Sequence, residues 1–182
     1  KRPEEILTQA NRIIGSGQTS LAKFLFIAAH GDAPGLNTRN IPAYFQHFLE
    51  RIDLSRDLHF QTKTTIDTLD YSGSGWNSGS KLILACCGPV LRKLDTKLPD
   101  GFSLPDGFSA PTFIQPGILA IQASPFRDEA GREDMHRLSK HLERFNLEQI
   151  PLIIVGDDSA FLARTTDNFV WATFTRANPS HD

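Results

Sequence analysis

The sequence predicts an α/β fold in which helices flank a mostly parallel sheet. Short apolar runs of strand length recur along the chain, and we place strands near residues 24–28, 82–86, 118–122 and 152–155. Segments with helical periodicity separate these runs. Strands that alternate with helices are typical of a parallel sheet with right-handed crossovers, and this is the architecture we expect.

Amphipathic segments define the helices. Pro3–Ile14 carries its apolar residues on one face, and Pro42–Ile52 carries apolar side chains at positions i, i+3, i+4 and i+7. A third helix is predicted over Gly131–Asn146 and a short one over Val90–Leu94. Alternation of apolar and polar residues over Leu58–Thr65 indicates an exposed or edge strand, which a Gly- and Ser-rich loop follows.

The segment Pro151–Asp182 is predicted to form a strand, an acidic turn, a loop and an aromatic helix. Gly156–Asp158 has turn chemistry, and Thr165 or Thr166 can cap the helix that Asn178 and Pro179 end. The aromatic side chains of this helix spread over more than one face, so we expect some of them to lie at an interface. The residues predicted to serve structure or an interface are Trp171, Phe174, Phe169, Asp157, Arg176 and Asp182.

Two stretches of the chain resemble each other at an offset of 125 residues. The residues that coincide are Gly31 with Gly156, Asp32 with Asp157, Arg39 with Arg164, Arg51 with Arg176, Ser55 with Ser180, and Asp57 with Asp182. Two related strand–turn–helix halves are therefore one interpretation of the chain. We expect residues 1–182 to form a single C-terminal α/β domain of a longer protein, divisible into halves 1–98 and 117–182 that the Pro-, Gly- and Phe-rich segment 99–116 joins.

Composition excludes several classes of protein. The chain has 182 residues, of which 40% are hydrophobic and 22% charged, and its formal net charge is −2. No basic block suggests a nucleic-acid partner, and no apolar run in the sequence is long enough to span a membrane. The two cysteines are adjacent, at Cys86 and Cys87, which indicates buried thiols in a reducing compartment, so we expect a cytoplasmic protein.

The sequence offers few candidates for chemistry. Gly15–Gly17 and Gly73–Gly79 each lead into a strand rather than a helix, so neither has the order of a phosphate-binding loop. The six histidines lack the spacing of metal ligands. Asp157 and Asp158 follow a strand, where open α/β sheets bind ligands, but a turn cap or an arginine partner explains them better. We therefore predict no catalytic, cofactor-binding or metal-binding residue in this chain.

Three patterns resemble the C-terminal region of the UbiD family of decarboxylases. Val170–Asp182 reads V-W-A-x-x-T-R-x-x-P-x-x-D, Thr65–Ser72 is similar to the family's Ile-Asp-x-Leu-Asp-aromatic segment, and Gly79–Lys81 completes that segment. The chain departs from the family at His30–Asp32, where a longer acidic run is usual. It also lacks a stretch that resembles the family's catalytic arginine and paired acidic residues, which lie upstream. The resemblance extends over residues 13–81 and 151–182.

The resemblance implies an activity for the longer protein. Members of this family remove CO2 from aromatic or α,β-unsaturated carboxylic acids, as in quinone biosynthesis, with prenylated FMN, a divalent metal and a monovalent cation. We thus expect an oligomerisation and support domain that is inactive and cofactor-free by itself. Its expected partners are a missing N-terminal catalytic domain and further copies of the same chain. The alternatives are a free-standing small-ligand-binding domain that uses Asp32 and Asp157, and a complete small hydrolase, which lacks the geometry of a nucleophile.

Overall fold

The structure, a computed structural model, describes residues 2–181. Its helices and strands are α1 Pro3–Ile14, β1 Phe24–Ala28, α2 Ile41–Leu49, β2 Leu58–Thr64, β3 Gly79–Cys86, β4 Phe108–Gln115, β5 Ile118–Ala123, α3 Asp128–Leu142, β6 Leu152–Gly156, α4 Ser159–Arg164 and α5 Thr166–Arg176. The described residues form two compact units, one made of residues 2–91 and 172–181 and the other of residues 92–171. Segment 99–116 lies inside the second unit.

The first unit is built on a three-stranded sheet in the order β1–β3–β2. The central strand β3 has β1 as a parallel neighbour and β2 as an antiparallel one. Helix α1 packs on β3 and β1, because its apolar residues recur on one face. Asn40 caps α2 by accepting a hydrogen bond from the Ala43 backbone N–H at 3.2 Å. The buried residues of this core are Ile6, Ala10, Ile14, Ala29, Ile83, Ala85 and Cys87.

The second unit is built on a three-stranded sheet in the order β4–β5–β6. Here β5 is central, with β4 antiparallel and β6 parallel to it. Helix α3 contributes Leu138 to the core against Leu119 and Ile121 of β5. Asp158 caps α4 by accepting a hydrogen bond from the Phe161 N–H at 2.8 Å. The buried residues of this core are Phe108, Leu119, Ile121, Leu138 and Ile150.

The two sheets share one internal arrangement, although their strands follow each other differently along the chain. Each central strand has one parallel and one antiparallel neighbour. In the first unit the parallel edge strand β1 precedes the antiparallel pair β2–β3, whereas in the second unit the pair β4–β5 precedes the parallel edge strand β6. The order of the strands in the two units is thus related by a circular permutation.

The α/β class is confirmed, but the prediction of a mostly parallel sheet is wrong. Each sheet holds one parallel and one antiparallel pair. Strands β4 and β5 are joined by Pro116 and Gly117 alone, and Gly117 has a φ of 80°. A two-residue connection can join only antiparallel neighbours, since a parallel pair needs a long crossover. The Pro- and Gly-rich composition of segment 99–116 predicts turns, and for that reason β4 was not expected.

Most other elements lie close to their predicted positions. The four predicted strands, the edge position of β2 and the three long helices are all present. The short helix over Val90–Leu94 is wrong, because that stretch is neither helix nor strand. Tertiary hydrogen bonds hold the chain directly after this stretch, with the Asp95 N–H donating to the Gln149 carbonyl oxygen at 3.2 Å and the Asp95 carbonyl oxygen accepting from the Gly117 N–H at 2.9 Å. Along residues 2–181, every helix is too short or too polar to cross a membrane.

Candidate functional site

A buried ion pair joins the connection between β2 and β3 to the start of β1. Lys23 Nζ lies 2.8 Å from Asp70 Oδ2, and 7% and 18% of the two side chains are exposed. The same ammonium group donates to Ser72 Oγ at 2.5 Å and to the Thr175 carbonyl oxygen at 3.3 Å. Burial raises the pKa of Asp70, but hydrogen bonds from Lys23 and Ser72 together lower it further, so the pKa of Asp70 falls below its ordinary value. Asp70 is therefore ionised at neutral pH and fixes the loop.

Two aspartates shape the backbone of this loop. The Leu69 N–H donates to Asp67 Oδ1 at 2.8 Å, and the Ser72 N–H donates to Asp70 Oδ1 at 2.9 Å. Both are Asx turns, in which a short side chain takes the place of a backbone carbonyl. The Ser72 hydroxyl lies 2.6 Å from Asp70 Oδ1 and 3.1 Å from the Ala177 carbonyl oxygen, either of which can accept its single proton. The side chains of Asp67, Asp70 and Ser72 therefore hold the backbone of this loop.

Two glycines let the loop pack closely on Ile66, which is fully buried. A Cβ atom at Gly73 would overlap the Ser78 carbonyl oxygen and the Ile66 side chain, and one at Gly79 would come within 2.8 Å of Ile66 Cδ1. The loop closes on itself through a hydrogen bond from the Ser74 N–H to the Ser78 carbonyl oxygen at 2.9 Å. Glycine is required at these positions because of contact, since side chains have no room there.

The pattern Gly79–Lys81 anchors the C-terminal segment of the first unit. Ser80 Oγ donates to Asn178 Oδ1 at 2.5 Å and accepts from the Ser180 N–H at 2.9 Å. Ser80 is fully buried and Asn178 is 7% exposed. The Lys81 ammonium donates to the Ser20 carbonyl oxygen, and burial lowers the pKa of Lys81. Ser80 therefore connects β3 to the segment that follows α5, and Lys81 connects β3 to the segment before β1.

Phe174 completes an aromatic cluster in the first unit. Its ring centroid lies 5.0 Å from that of Phe24 and 5.3 Å from that of Phe26, both edge to face, and it stacks on Phe45 at 6.0 Å. Edge-to-face and offset arrangements are the favourable ones for aromatic rings. Phe174 therefore contributes to the packing between α5, α2 and β1.

The other predicted structural or interface residues lie in different environments. Phe169 is 1% exposed and is a core residue, whereas Trp171 is 51% exposed and packs edge to face on Phe161 at 6.2 Å. Asp157 and Arg176 lie on exposed surface. Asp182 lies outside the described residues.

The acidic residues that could have served a ligand have structural partners. Asp32 Oδ2 accepts from the Gly88 N–H at 2.7 Å. Asp57 is fully buried and accepts from Arg56 Nε at 2.6 Å and from the Asp53 N–H at 2.9 Å, and its hydrogen bond raises the pKa of Arg56. Within residues 2–181, no group of three or more His, Cys, Asp and Glu side chains is placed to hold a metal ion.

Sequence reasoning missed the set of residues that the structure brings together. Lys23, Asp70, Ser80 and Asn178 were not selected as candidates, although three of them stand within or next to family-like patterns. One signal was available, because Lys23 is a charged residue that directly precedes a buried apolar run. A lysine in that position needs a partner, since an unpaired buried charge is costly.

Comparisons with known proteins agree with the motif patterns. Residues 1–86 match the 3-octaprenyl-4-hydroxybenzoate carboxy-lyase C-terminal domain. Over 98% of its length the chain is 36% identical to an uncharacterized protein of Chlamydia trachomatis and 34% identical to one of Chlamydia caviae. It is 32% identical, again over 98% of its length, to a Chlamydia pneumoniae protein named as a subunit of 4-hydroxybenzoate decarboxylase. The chain spans 28% of the length of each of these relatives. No solved structure matches it.

Proposed function

Because residues 1–86 of this chain belong to the family of 3-octaprenyl-4-hydroxybenzoate carboxy-lyase C-terminal domains, we propose that the chain is the support and self-association part of a UbiD-like decarboxylase. The family match is the observation that carries the proposal, and over residues 1–86 it confirms the resemblance that the patterns Thr65–Ser72 and Gly79–Lys81 indicated. A relative named as a decarboxylase subunit supports the same activity and a second, partner polypeptide. The chain spans 28% of that relative's length, so the reaction belongs to a longer polypeptide.

The support role follows from what the family-like residues contact. Both carboxylate oxygens of Asp70 are engaged, one by Lys23 and the other by Ser72. Ser80 both donates and accepts a hydrogen bond inside the fold. Side chains whose bonding capacity is used internally position backbone rather than substrate. These residues would therefore stabilise the domain on which the catalytic part rests.

The reaction we propose for the longer polypeptide is the removal of CO2 from an aromatic or α,β-unsaturated carboxylic acid. Prenylated FMN would supply the electron sink for that chemistry, together with a divalent metal and a monovalent cation. The acidic residues described here do not fit as their ligands, because Asp32, Asp57 and Asp70 already bind groups of the chain itself. We assign the cofactor to the remainder of the polypeptide and no step of the reaction to this chain.

Self-association is proposed for the exposed part of α5. Trp171 keeps 51% of its surface exposed, although it is one of the largest apolar side chains of the described residues. Tryptophan is enriched at interfaces between protein chains. A two-fold dimer is the arrangement we propose, because closed two-fold symmetry is the commonest solution for identical chains.

A cytoplasmic location is proposed from the two cysteines. Cys86 and Cys87 are free and buried, and burial raises the pKa of Cys86 to about 12. Such a thiol is inert at neutral pH, because the thiolate is the reactive form. Adjacent unbridged thiols suit a reducing compartment.

The proposed function is tested by comparing two proteins, the complete polypeptide that carries this chain and the 182-residue chain alone. Each is supplied with prenylated FMN, a divalent metal, potassium and 4-hydroxybenzoate or another aromatic or unsaturated acid. The complete polypeptide should release CO2, and the chain alone should neither release CO2 nor bind the flavin. Micromolar flavin binding by the chain alone would contradict the support role. If the complete polypeptide released CO2 from none of these acids, the proposed decarboxylase activity would be contradicted.

A free-standing ligand-binding domain is the alternative, and its two acidic residues give it little support. Asp32 uses Oδ2 to hold the Gly88 N–H at 2.7 Å, which fixes the chain after β3. Asp157 is exposed beside the capping residue Asp158. Asp32 therefore has a structural role in the fold, and among the described residues Asp157 belongs to no group of three or more His, Cys, Asp and Glu side chains that could hold a metal ion.

A further inference from the structure

The connection between β2 and β3 presents three large apolar side chains to solvent. Leu69, Tyr71 and Trp76 are 76%, 87% and 80% exposed. Single exposed apolar residues are normal on a protein surface, whereas three on one short segment, two of them on the wall of one concavity, are a candidate for an interaction site. Tryptophan and tyrosine are also the residue types that carry much of the binding energy of interfaces. We call these three side chains the apolar loop patch.

The backbone beneath the apolar loop patch is held in one conformation. The Lys23–Asp70 ion pair and the two Asx turns fix Leu69 and Tyr71 on either side of Asp70. Gly73 packs against Ile66 with no room for a side chain. An exposed surface on so constrained a loop binds a partner with little loss of conformational entropy, and this preorganisation strengthens binding.

Asn77, next to Trp76, carries a local conformational cost. Its φ is 51°, in the left-handed region, and its Oδ1 is a buried oxygen without a hydrogen-bond partner among the described residues. Costs of this kind persist where the surrounding structure imposes them, and they concentrate at functional sites. The residue next to Trp76 therefore combines a left-handed backbone with an unpaired buried oxygen.

A concavity beside the patch limits what it can receive. Its volume is about 200 Å³, and Tyr71 and Trp76 form part of its wall together with Asp70 and Asn77. Pockets for small-molecule substrates and cofactors usually measure about 300–1,000 Å³. The concavity is therefore small for a cofactor but sufficient for one apolar side chain of a protein partner.

The size of the patch favours a partner that is tethered to this chain over a separate molecule. Burying two aromatic side chains and a leucine would remove on the order of 500 Å² from each surface. A stable complex of separate molecules needs about 800 Å² per partner. A tethered partner needs less, because a linker raises its effective concentration to roughly the millimolar range. Since the chain spans 28% of its relatives, most of a polypeptide of their length would lie outside it and be available as a tethered partner.

We propose that the apolar loop patch is the surface on which the remainder of the same polypeptide docks. The inference rests on the proposed function, because it requires that this chain be one part of a longer enzyme. An apolar side chain of the remainder would insert between Tyr71 and Trp76, in the concavity of about 200 Å³. The docking would set the position of the catalytic part relative to the first unit.

The test measures the solvent reactivity of Trp76 by hydroxyl-radical footprinting and mass spectrometry. It compares the complete polypeptide with the 182-residue chain alone, each at several protein concentrations. We expect Trp76 to be oxidised roughly tenfold more slowly in the complete polypeptide, since interface anchors are almost fully desolvated. Hydrogen exchange then compares Trp76→Ser with the matched control Phe126→Ser, which removes an apolar side chain that is 65% exposed in the second unit. Trp76→Ser, but not Phe126→Ser, should speed hydrogen exchange in one segment of the remainder of the polypeptide.

Three results would overturn the proposal. Equal oxidation of Trp76 in the two proteins would show that nothing covers the patch. Protection that appears in the isolated chain and grows with its concentration would assign the patch to a second copy. A reading frame that encodes nothing beyond this chain would remove the partner. The first two results do not depend on CO2 release, so they distinguish failure of the docking proposal from failure of the proposed reaction, whereas the third would remove both.

Discussion

Lys23 and Asp70 form an ion pair at 2.8 Å that connects the residue before β1 to the loop after β2. An ammonium group has three protons to donate, and Lys23 directs them at Asp70, Ser72 and the Thr175 carbonyl oxygen. Three segments that are distant in sequence therefore meet at one side chain. The C-terminal segment is held a second time by Ser80 and Asn178.

Replacing Lys23 with Met should destabilise the fold by about 2–4 kcal/mol, because it leaves the Asp70 carboxylate without its partner. The expected loss is smaller than for a fully buried pair, since 18% of Asp70 is exposed. Urea unfolding of the chain measures it. Lys63→Met is the matched control, because Lys63 is an exposed lysine on β2. Equal stability of the two variants would show that the pair contributes nothing.

Asp70 should make stability depend on pH at the acidic end. Its pKa in the folded chain lies below the ordinary value, so its contribution is present above the unfolded pKa of about 3.9 and is lost as the pH falls through the folded pKa. The difference in unfolding free energy between the wild type and Asp70→Asn should therefore shrink as the pH falls from 7 towards 3. In a Lys23→Met background the same comparison should show a weaker pH dependence. A difference that stays constant with pH would refute this account.

Gly73→Ala should cost roughly 1–3 kcal/mol, because the new Cβ would meet Ile66 and the Ser78 carbonyl oxygen in a closely packed site. Gly75→Ala is the control in the same loop, since a Cβ there would meet no atom within 4 Å. We expect it to change stability by no more than about 0.5 kcal/mol. Thermal unfolding of the two variants measures both changes in stability. Similar losses of stability in the two variants would mean that contact with Ile66 is not the cause.

Substitutions of Phe169 and Trp171 should distinguish an effect on folding from an effect on self-association. Phe169→Ala removes a residue that is 1% exposed and should destabilise the fold by about 3–5 kcal/mol. Trp171→Ala removes a side chain that is 51% exposed, so it should cost about 1–2 kcal/mol while weakening self-association. Sedimentation velocity over a range of concentrations gives the dimer fraction. A wild-type chain that stays monomeric at high micromolar concentration would contradict the proposed dimer.

Local patterns in the sequence predict most of the elements of this fold. The run Leu152–Val155 has the length and β-branched content of a buried strand, and Pro3–Ile14 has one apolar face, so both elements occur where they were expected. The stretch Val90–Leu94 was wrongly predicted as a helix, because hydrogen bonds of Asp95 to Gln149 and Gly117 outweigh its weak local preference. Intrinsic propensity is a small term that tertiary contacts can override.

The sequence also contained the residues of the candidate site, but it did not show which of them would meet. The pattern around Asp67 and Asp70 carried the resemblance to the family, yet the partner of Asp70 lies before β1 and was not foreseen. Ser80 forms a hydrogen bond with Asn178, which is distant in sequence, only because the C-terminal segment returns to the first unit. Such pairings depend on chain closure over long separations, which local spacing does not encode.

By itself, then, the sequence determined the α/β class, the positions of the long helices and buried strands, and the resemblance that the match of residues 1–86 to a carboxy-lyase C-terminal domain supports. These features depend on side-chain periodicity and on short motifs, both of which act over a few residues. Only the tertiary structure decided that the central strand of each sheet has one parallel and one antiparallel neighbour. It also decided that the side chains of Lys23 and Asp70, and those of Ser80 and Asn178, bind one another across the fold and are not solvated surface. Strand direction and buried partners depend on how distant segments close upon one another, because burial leaves each polar group with only the partners that the fold brings to it.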